Sequence, residues 1–277
     1  MVGGRKSETK FYFMNPEYSE KLQKELGLYP YHRDYVHSVD GTDIDIPMIY
    51  GDASSIMYFM LIDTKNVMNF IKDKRIKPVS IFPGKTLLAI NIFEYRKSAV
   101  GGFGEFTFSV PIIIDGRVNV PILPLIFDQS FSKFGFYVIQ LGASTDLGRR
   151  HIEDIWGYPT YKNNLDISIV NNGGRVTSTI KEGNNIILTI SENLPKNINF
   201  KLKSKKFNTY FSHMKELRRV ELNTFLFENM WIMGRDFKIK IGNHEIGVIL
   251  SELGVEKKIA TIFYPNAIEI AGKAVSI

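Results

Sequence analysis

The sequence predicts a mainly β (α+β) fold: a large antiparallel sheet closing into a barrel or cone around a central cavity, with few short helices. Three observations carry this. Strand-like apolar runs recur from residue 55 to residue 270, tight-turn pairs such as Asp115-Gly116 separate them, and no alternating βαβ rhythm appears. A closed sheet of this size encloses a cavity, and cavities take small molecules.

The first fifty residues are the least readable. Pro16 to Leu26 suggests a short helix ended by Gly27, with Leu22 and Leu26 on one face. Tyr29 to Asp52 mixes Pro, Gly, Asp and Tyr and reads as extended, irregular chain. Residues 1–50 are therefore expected to form an N-terminal extension packing on one β-cone domain of residues 51–277. Ile56 to Ile62 is a strand, and Thr64 caps a short helix with Val67, Met68 and Ile71 on one face. Leu87 to Tyr95 and Phe103 to Ile114 follow as strands, and Asp115-Gly116 turns Ile112–Ile114 back into Val118–Val120. Phe134 to Leu141 is another. Leu165 to Val170, Val176 to Ile180 and Ile186 to Ile190, joined at Asn171-Asn172-Gly173-Gly174 and at Gly183-Asn184-Asn185, predict a three-stranded meander. Val220 to Phe227, Phe237 to Ile241, Ile246 to Leu250 and Ala260 to Ile270 are read as the remaining strands.

Composition narrows the chemistry. The 277 residues are 44% hydrophobic and 23% charged, which supports a packed core. With no cysteine, disulfides, thiolate nucleophiles and iron–sulfur clusters are excluded. No apolar run approaches the ~18 residues of a membrane helix, so no membrane partner is expected. The first ten residues lack an apolar signal core, which makes the cytoplasm the expected compartment. The net charge of +6 is scattered, apart from Lys201, Lys203, Lys205 and Lys206. At a spacing of two, the first three of these read as the solvated face of a strand, so no nucleic acid is expected. The five histidines show no ligand spacing and no cofactor motif occurs, so neither metal nor cofactor is expected.

Two segments stand out. In Ser98-Ala-Val-Gly101-Gly-Phe103-Gly-Glu105-Phe-Thr-Phe-Ser-Val-Pro111, an acid sits inside an apolar strand. Strand alternation puts Phe103, Glu105 and Thr107 on one face and Phe106 and Phe108 on the other. Glu105 is then either on a solvated face or buried for a purpose. In Glu153-Asp154-Ile155-Trp156-Gly157-Tyr158-Pro159-Thr160-Tyr161-Lys162, a tryptophan lies among Gly, Tyr and Pro, and Lys162 is the only lysine between Lys133 and Lys181. Beside aromatics, such an amine is either an ordinary strand-edge lysine or a desolvated nucleophile.

Together the segments resemble the acetoacetate decarboxylase family. Ser98, Gly101, Phe103, Glu105 and Pro111 match one motif, and Asp154, Trp156, Gly157, Tyr158 and Pro159 match another, in the family's order. The resemblance covers roughly residues 50 to 275. It implies a cone of antiparallel strands around a solvent-poor cavity, a homo-oligomer, and carboxy-lyase chemistry on a small oxo acid. In the family a lysine just after the Tyr-Pro pair forms an imine with the substrate ketone, and the glutamate matching Glu105 lines the same cavity. In the family that lysine is activated by desolvation or by a neighbouring cation.

The departures are informative. Without gaps, the imine lysine falls on Thr160 and its neighbouring lysine on Tyr161. Lys162 lies two residues beyond Thr160, so on an extended strand it shares that face, about 7 Å further along. A cavity-lining arginine of the family falls on Asp63, which leaves Arg96, Arg149 or Arg150 to supply a positive charge. Three readings follow. In the first, Lys162 is the imine nucleophile, Glu105 the acid/base group, and Trp156, Tyr158, Thr160, Tyr161, Phe103, Arg96 and Arg149 line the substrate. In the second, Thr160, Tyr161 and Glu105 perform proton transfer, hydration or hydrolysis on a carbonyl compound with no imine. In the third, it binds a small ligand without turnover.

Overall fold

The computed structural model describes residues 35–115, 133–194, 204–226, 231–232 and 234–277. The chain begins with a hairpin, β1 (Tyr35–Val39) and β2 (Thr42–Ile46). It continues through β3 (Met48–Asp63), a single helical turn α1 (Thr64–Val67), β4 (Ile76–Pro78), β5 (Lys85–Lys97), β6 (Phe103–Ile114) and β7 (Phe134–Ala143). Helix α2 (Asp146–His151) runs directly into a π-helical turn at Ile152–Trp156. Then come β8 (Asp166–Asn172), β9 (Arg175–Glu182), β10 (Asn185–Asn193), β11 (Ser204–His213), β12 (Glu216–Leu226), β13 (Trp231–Ile232) and β14 (Arg235–Ile241). Helix α3 (Glu245–Leu253), β15 (Lys257–Ala271) and β16 (Val275–Ser276) complete it.

Seven strands close on themselves in the order β3-β5-β6-β7-β11-β12-β15, with β15 returning to β3. Every neighbouring pair is antiparallel except β7 and β11, which run parallel through Thr209↔Phe136 and Tyr210↔Tyr137. The sequence expectation of a closed, mainly antiparallel sheet with few helices holds. A second sheet, β14-β10-β9-β8, covers the outside of the barrel and contains the expected meander.

This second layer explains why strands in the barrel wall are apolar on both faces. On β3, Ile56, Tyr58, Met60 and Ile62 point outward into a core shared with Val176, Ile180, Leu188 and Ile190. Tyr58 Oη and Ser178 Oγ, 2.9 Å apart, hydrogen-bond across that interface. Ser55, Met57 and Phe59 alternate to the inside. β6 does the same: Phe106 and Phe108 pack outward, while Glu105, Thr107 and Ser109 face the barrel interior. All twelve residues of β6 are buried.

Several expectations change. Ile246 to Leu250 lies in helix α3 and is not a strand. Its buried positions, Ile246, Leu250 and Leu253, follow helical spacing, His244 caps its start, and Gly254 ends it in the left-handed region. The β-branched run resembles a strand, but the cap residues and the i, i+4, i+7 pattern decide. Tyr29 to Asp52 is ordered where it is described. Asp40 (φ 50°) and Gly41 (φ 79°) form the tight turn between β1 and β2, and the boundary expected after residue 50 falls inside β3. Asp63, not Thr64, precedes α1, and Met68 is exposed although Val67 and Ile71 are buried. The Pro16–Leu26 helix, the Val118–Val120 arm, Lys201 and Lys203 lie outside the described residues. No helix among the described residues is long and apolar enough to cross a membrane.

Candidate active site

The first motif is a turn followed by a strand. Ser98 Oγ donates to Gly101 O (2.6 Å) and accepts from Val100 N (3.2 Å), and Gly101 adopts φ 82°, which favours glycine. This turn joins β5 to β6 in the register that sets Glu105 opposite Phe93 on one side; on the other side it faces Ala143 of β7. Alternation then aims the Glu105 carboxyl into the barrel.

The second motif closes the barrel end. After the π-helical turn, Gly157 (φ 83°) reverses the chain, and a side chain there would collide with the His213 ring. Trp156 is 2% exposed, and its Nε1 donates to Gly272 O at 2.7 Å. Tyr158 points inward and packs against Phe211, with ring centroids 4.0 Å apart and the planes tilted by 34°. Its hydroxyl lies 2.5 Å from Thr209 Oγ1, which itself donates to Val220 O, so Tyr158 is the donor.

Between these elements lies a largely buried chamber of about 60 Å³. Its polar lining is centred on a pair of glutamates, Glu105 from β6 and Glu269 from β15, with Tyr50, Tyr95, Tyr158 and Asn91 around them and the hydroxyls of Thr107, Ser109 and Thr209 beyond. Burial pushes the Glu105 carboxyl well above the usual carboxylate range, and the nearby Glu269 adds to the shift. Burial likewise raises Glu269 to about 7, although the Tyr95 hydroxyl, donating to Glu269 Oε1 at 3.2 Å, opposes the shift. Among the described residues no hydrogen bond reaches the Glu105 carboxyl, and none reaches Asn91 Oδ1. Burial and the proximity of the two carboxyls both favour protonation, so the pair as a whole releases its protons at higher pH than ordinary carboxyls. Singly protonated, the pair is one acid and one base in a single chamber.

Behind the pair, Tyr50 stacks on Tyr95 at 4.3 Å and bonds His151 Nε2 at 3.0 Å. His151 Nδ1 lies 3.1 Å from Leu147 O, a pure acceptor, so Nδ1 carries the proton and Tyr50 donates to Nε2. Burial holds His151 down at about 4, so it stays neutral.

Of the residues singled out from the sequence, the structure brings Glu105, Trp156 and Tyr158 to the chamber. Phe103 lies one layer back, against Tyr95 and His151. Thr160 and Tyr161 do not line the chamber. Thr160 Oγ1 donates to Tyr158 O, and the Tyr161 hydroxyl reaches Glu182 on the outer side. Lys162 is on the surface, its side chain 73% exposed and 3.9 Å from Glu245. The expectation that it shares the cavity fails because the segment is not a strand. Thr160 makes one isolated bridge to Leu141, and the chain bends at Lys162 and Asn163. Arg96 follows inward-facing Tyr95 and so points out, to Ser54 Oγ (2.6 Å) and Asp52 Oδ1 (2.5 Å). Arg149 is held by Glu153 at 2.8 Å and Asp146 at 3.5 Å, and Arg150 by Asp40 at 2.6 Å. Asp63 ends β3 at the surface, paired with Lys85.

Sequence reasoning missed Glu269, Tyr50, Tyr95 and His151. For Glu269 a signal existed: an acid alternating with Ile268 and Ile270 and flanked at i±2 by Ala267 and Ala271. This is the same acid-in-a-strand anomaly that marked Glu105.

A closed barrel whose interior holds a desolvated carboxyl pair is a cavity-bearing β-barrel. Its particular fold is that of acetoacetate decarboxylase. The acetoacetate decarboxylase of Legionella pneumophila aligns with a TM-score of 0.64 and 10% identity over 89% of this chain and 93% of that one. Another acetoacetate decarboxylase structure gives 0.61 at 12% identity, over 83% and 89%. The enduracididine biosynthesis enzyme MppR complexed with pyruvate gives 0.55 at 11% identity, over 83% and 89%. The resemblance carried by the two motifs holds at the level of the fold. No protein-family model matches the sequence, and no curated protein matches it significantly.

Proposed function

We propose that this protein is an acetoacetate decarboxylase-like enzyme that moves protons on a carbonyl compound with its carboxyl pair and forms no imine at Lys162. The carrying observation is the chamber itself: Glu105 and Glu269 face one largely buried space, and no lysine or arginine is among its described lining residues. Ionised Glu269 takes a proton from the carbon next to the carbonyl. Protonated Glu105 donates to the carbonyl oxygen, and the product is the enol. Return of the proton to a different carbon gives an isomer, and addition of a water to the carbonyl carbon, with Glu105 protonating the oxygen and Glu269 taking the proton of the water, gives the hydrate. Tyr95 orients Glu269, and the Tyr50–His151 pair holds Tyr95 in place by stacking.

The experiment is deuterium exchange into the α-position of a panel of small ketones and oxo acids, followed by NMR in heavy water. Wild type should exchange at least one substrate, and E105Q and E269Q should each lose that activity. Unchanged exchange in both variants would refute the assignment, as would a borohydride-trapped adduct on a lysine. The absence of a cation from the described lining also favours a second reading, a ligand binder. A ligand carried unchanged through purification, with no exchange on the panel, would select it. The homo-oligomer implied by the resemblance remains part of the proposal, and light scattering on the purified protein tests it.

A further inference from the structure

The chamber does not end at the carboxyl pair. A second compartment of about 50 Å³ adjoins it, and Met57, Phe93, Phe136, Phe207 and Glu269 line both. Each is far larger than the ~10–15 Å³ that admits one water. Glu269 stands at the junction. On its Glu105 side the walls carry carboxyls, tyrosine hydroxyls and the Asn91 amide; on the far side they are Phe59, Ile262, Tyr264 and Ala267. Besides Glu269, the polar groups there are the hydroxyls of Ser55, Thr224 and Tyr264, and Ser55 Oγ has no partner among the described residues. Neither compartment has lysine, arginine or histidine among its described lining residues.

A substrate carboxylate entering this space would be desolvated opposite two carboxyls with no cation to compensate it. An apolar chain, by contrast, gains free energy from every methylene it removes from water. Resting on the acid/base reading above, we propose that the substrate is an uncharged carbonyl compound with an apolar chain. Its carbonyl sits between Glu105 and Glu269, and its chain runs into the Phe59–Tyr264 compartment. A short oxo acid does not meet this description. Glu269 at the junction would then address the carbon where the chain joins the carbonyl, which is the carbon whose proton the acid/base reading removes.

Calorimetric binding of acetone, butan-2-one, hexan-2-one and octan-2-one, set beside pyruvate and acetoacetate, tests this without needing turnover. Affinity should rise by about fourfold per methylene until the compartment is filled, and the two oxo acids should bind more weakly than butan-2-one. A flat series, or an oxo acid that binds more tightly than the ketones, overturns the proposal. A267L narrows the far compartment and should abolish the rise with chain length. A53L, on the same wall, gives the same readout if A267L fails to fold. A folded variant of either kind that keeps the full rise also overturns it. The two readings separate cleanly. A preserved chain-length series without α-exchange sinks the acid/base chemistry and keeps this substrate class. Exchange confined to oxo acids does the reverse.

Discussion

Two clusters built from similar residues behave oppositely. Inside the barrel, Glu105 and Glu269 face Tyr50, Tyr95 and Tyr158. Outside it, Glu182 meets Tyr161, His244 and Asn163. His244 Nδ1 accepts from Ile246 N (3.1 Å), so its Nε2 carries the proton and donates to Glu182 Oε2 at 2.8 Å. Asn163 Nδ2 and the Tyr161 hydroxyl donate to the same carboxylate. Those bonds, His244 first, hold Glu182 below the ordinary carboxylate range. Burial and a like-charged neighbour lift Glu105 above it. A carboxylate that accepts from three side-chain donors fastens the Pro159–Asn163 segment to β9 and the start of α3. One left unpartnered in a largely buried chamber is available for protons. Partner count, more than residue type, separates a structural cluster from a reactive one.

The largest expected effect breaks this contrast at the reactive end. E105Q keeps the shape of the side chain and removes its exchangeable acid. It should lower α-exchange by about 100-fold or more, while E182Q leaves exchange near wild type. The NMR assay reads both. Similar losses in the two variants would erase the distinction between the clusters.

The next effect is on stability against pH. Glu269, at about 7 in the fold against an ordinary 4.5, keeps its proton where the unfolded chain has released it. Stability from this group is therefore full below the unfolded value and is lost as pH rises through 7, a change on the order of 3 kcal/mol. His151, at about 4 against 6.5, acts in the opposite sense: the unfolded chain takes up the proton first, so stability falls as pH drops from 6.5 toward 4. In urea titrations from pH 7 to pH 5, E269Q should show a smaller gain on acidification than wild type, because Glu105 still contributes in the same sense while His151 opposes it. An unchanged pH slope would mean that the chamber is wet. A smaller effect comes from the outer cluster. E182A strands the donors of Tyr161, Asn163 and His244 and should cost about 1–2 kcal/mol, read as a lower denaturation midpoint.

Much of the barrel was legible because its strands carry their period openly. β6 matches its sequence reading from Phe103 to Ile114, and the β8–β10 meander follows from its glycine turns. Glu105 was legible because an acid in an apolar strand is anomalous. Which of its alternatives held was not, since a solvated face and a cavity face show the same alternation. The second sheet resolves this: it occupies the outer face with Phe106 and Phe108, so Glu105 has only the interior. Glu269 carried the same anomaly. Its partnership with Glu105, 164 positions away, exists only because β12, β15 and β3 close the ring. Helix α3 was misread because Ile246, Val248 and Ile249 favour strands locally, whereas tertiary burial selects the helical stripe.

The smallest effect is the most discriminating for the imine. Lys162 and Glu245 are both more than half exposed and 3.9 Å apart, a geometry in which an ion pair adds about 0–1 kcal/mol at most. Lys162→Ala should therefore leave the denaturation midpoint almost unmoved. It should also leave α-exchange intact, because the amine lies outside the chamber and its removal alters neither the carboxyl pair nor its desolvation. A selective loss of exchange in a stable Lys162→Ala protein would require the Thr160–Asn163 bend to refold inward during turnover. The Tyr161 and Asn163 bonds to Glu182 oppose that movement. Combining Lys162→Ala with E182A separates the cases: if the bend stays put, the double variant should show the stability loss of E182A alone and the exchange rate of wild type.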